Sequence, residues 1–184
     1  EEIGMTNPHF TTIEQYRDVE SHNMYNELLA QGRDADELLA ILASKSRDNS
    51  RTPMQWDASP NAGFTEGKPW IGVSHNYAEI NAERALAEPD SVFYAYQQLI
   101  ALRKSEPVLT WGDYQDLLPE HPSLWCYRRQ WQGQTLLVAA NLSGEPQAWE
   151  PPAGSTDGEV LMSNYDTPAG MTLRPFEAIW WLQR

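Results

Sequence analysis

The spacing of apolar residues changes period near residue 107, and this confines the chain to folds that keep helices and antiparallel strands in separate regions. Before the change, Ile13, Tyr16, Val19, Met24, Leu28 and Leu29 recur at helical spacing with Gly32 at a favoured C-cap position, predicting a helix over 13–31. Asp34 is placed to cap a second helix, with Asp36 and Glu37 in its first turn and Leu38, Leu39, Ile41 and Leu42 as its apolar face. Two further helices are predicted over 81–88 and 91–104, the latter ending in Arg103 and Lys104 ahead of Pro107. From Val108 onward, short β-prone runs cover 110–118, 123–131, 135–142, 159–162 and 178–182, and Trp131-Gln132-Gly133-Gln134 reads as a hairpin turn. The expected class is α+β, with one region over 1–106 and a small antiparallel β-domain over 107–184.

Residues 44–77 fit neither period. A loop of that length inside a compact domain is either functional or disordered. Met54, Trp56, Phe64, Trp70 and Ile71 argue for order, because disordered segments lack large apolar side chains. Composition narrows the partners. With 26 Asp+Glu against 13 Lys+Arg, the formal charge is −13, which repels nucleic-acid phosphate and anionic membrane unless the bases cluster. The most basic stretch, Lys45 to Arg51, is interrupted by Asp48, so a neutral or locally recognised small molecule is expected. No apolar run approaches the ~18–20 residues of a membrane span. Cys126 is the single cysteine, which removes an internal disulfide framework and fits a reducing compartment.

The densest polar cluster runs from Ser44 to Asp57. Two readings of it stand side by side. Arg47 and Arg51 either point planar guanidinium groups into a cleft where they hold sugar hydroxyls, with Trp56 stacking on a ring, or pin the loop through Arg47–Asp48 or Arg51–Asp57 ion pairs with Trp56 as a plug. Glycoside cleavage needs two carboxylates about 5 to 9 Å apart, and spacing selects no pair among Glu1, Glu2, Asp18, Glu20, Asp48 and Asp57. His9, His22, His75 and His121 show no zinc-like spacing with each other or with Cys126, so neither a metal site nor a cofactor is expected. Cys126, inside Leu124-Trp125-Cys126-Tyr127, is expected to be buried and inert.

Several segments resemble the oligo-1,6-glucosidase branch of the α-amylase superfamily, in the same order. They are Glu1-Glu2-Ile3-Gly4-Met5, Tyr16-Arg17-Asp18-Val19-Glu20, Ser46-Arg47-Asp48-Asn49-Ser50-Arg51-Thr52-Pro53-Met54-Gln55-Trp56, Asn61-Ala62-Gly63-Phe64, Pro69-Trp70-Ile71 and Leu173-Arg174-Pro175-Phe176-Glu177-Ala178. The resemblance implies a retaining (β/α)₈-barrel α-glucosidase with an aspartate nucleophile, a glutamate acid and a terminal β-domain. It further implies that residues 1–106 are the last βα loop and final helices of that barrel, and that the catalytic carboxylates lie upstream in a protein roughly three times longer. It assigns substrate binding to Arg51, which reaches the glucose whose bond is cleaved, and to Arg47, which either reaches the sugar or braces the loop against a carboxylate. A finer likeness around Leu117-Leu118-Pro119 and Ile179-Trp180-Trp181-Leu182-Gln183 implies a phosphorylated disaccharide as substrate and a cytoplasmic enzyme, with unphosphorylated α-glucosides as the rival. A rival of another class is a carbohydrate-binding or structural β-module whose platform is Trp111, Trp125, Trp131, Trp149, Trp180 and Trp181. Adjacent strand residues point to opposite sheet faces, so most of these rings are expected to fill a core or pack against the barrel.

Overall fold

The structure is a computed structural model, described for residues 2–167 and 170–184. Glu1, one of the carboxylates considered above, lies outside the described residues. The chain divides into two compact units, Glu1–Gln98 and Leu99–Arg184. It is α+β: helices followed by antiparallel strands.

The first unit contains α1 (Val19–Ala30), α2 (Ala35–Lys45), α3 (Ala82–Ala87) and the start of α4 (Val92–Ser105). The helix predicted over 13–31 is broken. A short 3₁₀ turn at Ile13–Gln15 ends in the extended residue Tyr16, and α1 begins only after Asp18. The cause is that Asp18 spends its carboxylate on the Ser21 N–H as an N-cap, while the N–H groups of Arg17 and Asp18 turn outward to Asp48. Asp34 caps α2 through the Glu37 N–H, and Asn81 caps α3 through the Arg84 N–H, as the sequence suggests. Phe10, Tyr16, Tyr25, Leu38, Leu42 and Ile71 form the core of this unit, so the long loop contributes Ile71 to the same cluster as the helices. Burying each side chain of this size stabilises by about 1.5–3 kcal/mol, enough to hold an irregular segment in place. The loop is ordered by short-range devices as well, including a 3₁₀ turn at Arg47–Ser50 and a tight turn at Pro60–Gly63 in which Asn61 and Ala62 take left-handed conformations.

The second unit takes up the rest of α4 and then has one helical turn, α5 (Val108–Trp111), in place of the strand start expected at Thr110. Gly112 ends that turn, and β1 (Asp113–Asp116), β2 (Leu124–Trp131), β3 (Gln134–Asn141), β5 (Glu159–Ser163) and β7 (Ala178–Gln183) build one antiparallel sheet in the order β1-β2-β3-β7-β5. A pair of two-residue strands, β4 (Gln147–Ala148) and β6 (Thr172–Leu173), forms a second layer. Pleating divides the large sheet. Cys126, Leu137, Ala139, Ile179 and Trp181 point to one face and pack with Leu173 and Trp149, whose ring stacks on Trp181 at 5.8 Å. On the other face Leu136, Val138 and Leu182 meet Val108 and Leu109 of α5. The tryptophans divide accordingly. Trp149 and Trp181 are buried, Trp131 and Trp180 are partly buried against the second cluster, and Trp111 and Trp125 are exposed. Cys126 is fully buried, and burial pushes its thiol up to about 11, so it is not a nucleophile in the folded chain. Among the described residues, no helix is long and apolar enough to cross a membrane.

Candidate functional site

The basic loop is shaped by a single carboxylate. After α2, Ser46 caps the 3₁₀ turn Arg47–Ser50 by accepting the Asp48 N–H, which sends the Asp48 side chain back toward α1. There Asp48 is fully buried, and its Oδ2 accepts the N–H groups of Arg17 at 2.6 Å and Asp18 at 2.8 Å. Its Oδ1 faces Arg51 Nη1 at 3.4 Å. Asp18 divides its oxygens in the same way. Oδ2 accepts the Ser21 N–H and hydroxyl at 3.0 and 3.1 Å, and Oδ1 faces Arg51 Nη1 at 3.2 Å and Arg47 Nε at 3.6 Å. A hydrogen bond of 2.8 Å between the Ser21 and Ser46 hydroxyls ties the two elements together behind the charges. A buried carboxylate is tolerated only when paired and hydrogen-bonded, and both aspartates meet that condition.

Electrostatically, Asp18 titrates below the usual carboxylate value of 3.8. Burial is the largest single influence and acts upward, but the Ser21 N–H and hydroxyl, Arg47 and the hydrogen bond from Arg51 together outweigh it. Arg47 also pairs with Glu20 on α1, so it braces the loop against two carboxylates. Arg51 is held by Nη1 alone; among the described residues its Nε and Nη2 make no hydrogen bond. These side chains open onto a cleft of about 730 Å³ lined by Arg17, Asp18, Glu20, Met24, Arg47 and Arg51. Such a surface can orient neutral hydroxyls through charge-assisted hydrogen bonds. It is poorly suited to bond cleavage, because Asp18 and Asp48 are committed to backbone N–H groups and guanidinium partners.

The structure brings Arg47 and Arg51 to one cleft and leaves Trp56 elsewhere. Trp56 is exposed and takes no part in lining it. Trp70 is also exposed and lines a separate recess with Phe10, Lys68 and Tyr77, connected to the arginine cleft through Arg17, whose Nε donates to the Trp70 carbonyl at 2.9 Å. The ion pairs considered from spacing do not form. Asp57 turns to the Ser59 N–H, and Arg47 bypasses its neighbour Asp48 for Asp18 and Glu20. Sequence reasoning left Asp18 and Asp48 among many equivalent acids. The available signal was local: an aspartate three residues before Ser21 is an N-cap pattern, and it marks the true start of α1. Among the described residues, no group of His, Cys, Asp and Glu is placed to hold a metal ion.

The chain is 67% identical, over all of its length, to the trehalose-6-phosphate hydrolase of Escherichia coli (strain K12), and 48% identical over 97% of its length to an oligo-1,6-glucosidase of Halalkalibacterium halodurans. The solved structure of Bacillus licheniformis trehalose-6-phosphate hydrolase superposes with a TM-score of 0.90 at 46% identity over 98% of the chain. The chain spans about a third of the length of these relatives, 34%, 33% and 34% in turn. The model of the alpha-amylase catalytic domain matches residues 1–112, which include the arginine loop, α4 and α5. The chain belongs to the alpha-amylase family.

Proposed function

We propose that these residues are the C-terminal portion of a cytoplasmic retaining α-glucosidase that hydrolyses trehalose 6-phosphate to glucose and glucose 6-phosphate. In this reading residues 1–106 are the last βα loop and final helices of a (β/α)₈ barrel, and 107–184 are the terminal β-domain. The observation that carries it is the 67% identity over the whole chain to a trehalose-6-phosphate hydrolase, against 48% to an oligo-1,6-glucosidase. A barrel enzyme builds its site from loops at the C-terminal ends of its strands, which suits the cleft formed by the 46–51 loop. Arg51 is assigned to hold hydroxyls of the glucose whose bond is cleaved, with Arg47 setting the loop. The aspartate nucleophile and the glutamate acid belong to the part of the protein outside these residues. There the acid protonates the bridging oxygen, the aspartate takes the glucosyl group, and water releases it with retention. Phosphate recognition is assigned to the same outside part, since Arg47 and Arg51 already face carboxylates.

The test is hydrolysis by the full-length enzyme of trehalose 6-phosphate and of isomaltose, with glucose and glucose 6-phosphate quantified. Preference for trehalose 6-phosphate, with equal amounts of the two products, is expected. Preference for isomaltose would move the assignment to the oligo-1,6-glucosidases, which the second relative represents.

A further inference from the structure

The recess beside Trp70 is built from rigid parts and presents polar groups that the fold does not use. Ile71 is fully buried in the core of the first unit, and the Trp70 carbonyl accepts Arg17 Nε at 2.9 Å, so the backbone on both sides of the ring is held. The Trp70 ring itself stands 59% exposed. Asn61, left-handed at φ 55°, donates Nδ2 to the carbonyls of Thr65 and Gly67, both at 3.0 Å, and this sets the turn that leads to Lys68. Across the recess, Gln15 commits Oε1 to the N–H groups of Thr11 and Thr12 at 2.8 and 3.0 Å. Its Nε2 makes no hydrogen bond among the described residues, and neither does the hydroxyl of half-buried Tyr77.

The charges of the recess are also unspent. Arg33, Arg47 and Arg51 face carboxylates, but Arg17 gives Nε and Nη1 only to the neutral carbonyls of Trp70, Glu14 and Tyr16. Its Nη2 makes no hydrogen bond among the described residues, and exposed Lys68 makes neither a hydrogen bond nor an ion pair. Glu14 is the one acid lining the recess, and it pairs with neither base. The volume, about 430 Å³, is that of a small-molecule site. Three ligand classes can be separated by chemistry. An apolar protein surface would cover two cations without a counter-charge. A polynucleotide is repelled by the −13 charge of the chain. A neutral sugar would stack on the ring and meet Gln15, Asn61 Oδ1 and Glu14, but would leave both cations without an anion. A phosphorylated hexose uses every group: the ring face lies on the indole, the hydroxyls meet the amides and the carboxylate, and the phosphate takes charge-assisted hydrogen bonds from Lys68 Nζ and Arg17 Nη2.

We propose that the Trp70 recess binds a phosphorylated hexose, with the sugar ring on the indole and the phosphate held by Lys68 and Arg17. This adds a ligand site to the glucosidase reading above and does not depend on which disaccharide is cleaved.

Hydroxyl-radical footprinting of the full-length enzyme, read by peptide mass mapping, tests it with glucose 6-phosphate, glucose and inorganic phosphate as probes. Trp56, exposed and outside the recess, is the internal reference, because the sugars also consume radicals. Saturating glucose 6-phosphate is expected to slow oxidation of Trp70 relative to Trp56 by about fivefold or more, as for a ring removed from solvent. Half-protection should need about tenfold more glucose 6-phosphate in Lys68→Ala, and about tenfold more glucose than glucose 6-phosphate in the wild type, the loss of one charge-assisted hydrogen bond or more. Lys68 is exposed and unpaired, so the variant keeps the fold. Four results would each overturn the proposal: Trp70 unreactive before any ligand is added, protection by glucose as strong as by glucose 6-phosphate, equal protection by inorganic phosphate alone, or protection that Lys68→Ala leaves unchanged. Preference for isomaltose in hydrolysis, with Trp70 still protected by glucose 6-phosphate, would overturn the substrate assignment alone, and the opposite pair of results would overturn the recess alone.

Discussion

Arg51 stands between two demands. Its Nη1 neutralises the fully buried Asp48 and the largely buried Asp18, and the rest of its guanidinium is available to a ligand. Removing it is therefore expected to affect both turnover and stability. Arg51→Ala leaves Asp48 with two backbone N–H partners and no cation, which should destabilise by about 1–2 kcal/mol, below the cost of stranding a wholly unpaired charge. In the full-length enzyme we expect Arg51→Ala to lower kcat/KM by on the order of 10², or about 3 kcal/mol. Arg51→Lys should restore most of the thermal stability but little of the activity, because the ammonium supplies charge without the planar fork. Wild-type kinetics for Arg51→Ala would remove the arginine from the sugar site. Asp18 carries a prediction in pH. Its folded value lies below the ordinary 3.8, so the folded state favours its ionised form. The stabilisation is complete above the ordinary carboxylate value and is lost as pH falls through the lower folded value. Asp18→Asn should therefore lower stability at neutral pH and flatten the acid limb of thermal midpoint against pH; an unchanged limb would show that Asp18 contributes nothing.

Turns and caps decide where each segment starts and stops. The β2–β3 hairpin turns through Gln132 at φ 46° and Gly133 at φ 86°, the pair of left-handed conformations that matches strand twist. Glutamine is a poor choice for the first of these positions and asparagine a good one. Gln132→Asn should stabilise by about 0.5 kcal/mol and Gly133→Ala should cost about 1 kcal/mol, read from urea unfolding followed by tryptophan emission. Equal midpoints for the two variants would mean that the turn does not limit this sheet. This hairpin was legible from four residues because its information is local. The pair β4–β6 was not, since two-residue strands show no alternation and are held by their place over the Trp149 cluster. The helix expected over 13–31 failed for a related reason. Apolar spacing continues smoothly through Tyr16-Arg17-Asp18, and the break is imposed by Asp48, a residue 30 positions away in the chain.

For the chain as a whole, the β-unit closes one face of its sheet and presents the other, while α4 has no buried residue along its 14 positions. Cys126 reports on the closed face. Fully buried and pushed up to about 11, it should react with thiol reagents near pH 8 only through unfolding of the sheet, so its modification in the full-length enzyme, followed by peptide mass mapping, should accelerate in step with added urea. Rapid modification without denaturant would mean that the sheet opens locally around β2. The succession of the longer helices and then of the main-sheet strands, the hairpin and the family motifs could be read from the amino-acid order, because periodicity, caps and turn residues act over a few positions and need no partner. The partners of the arginines, the faces taken by the tryptophans and the break before α1 could not be read this way. Each depends on which of many similar carboxylates or apolar surfaces arrives within about 3–4 Å, and hydrogen bonds and ion pairs at that range are set by chain segments that only folding brings together.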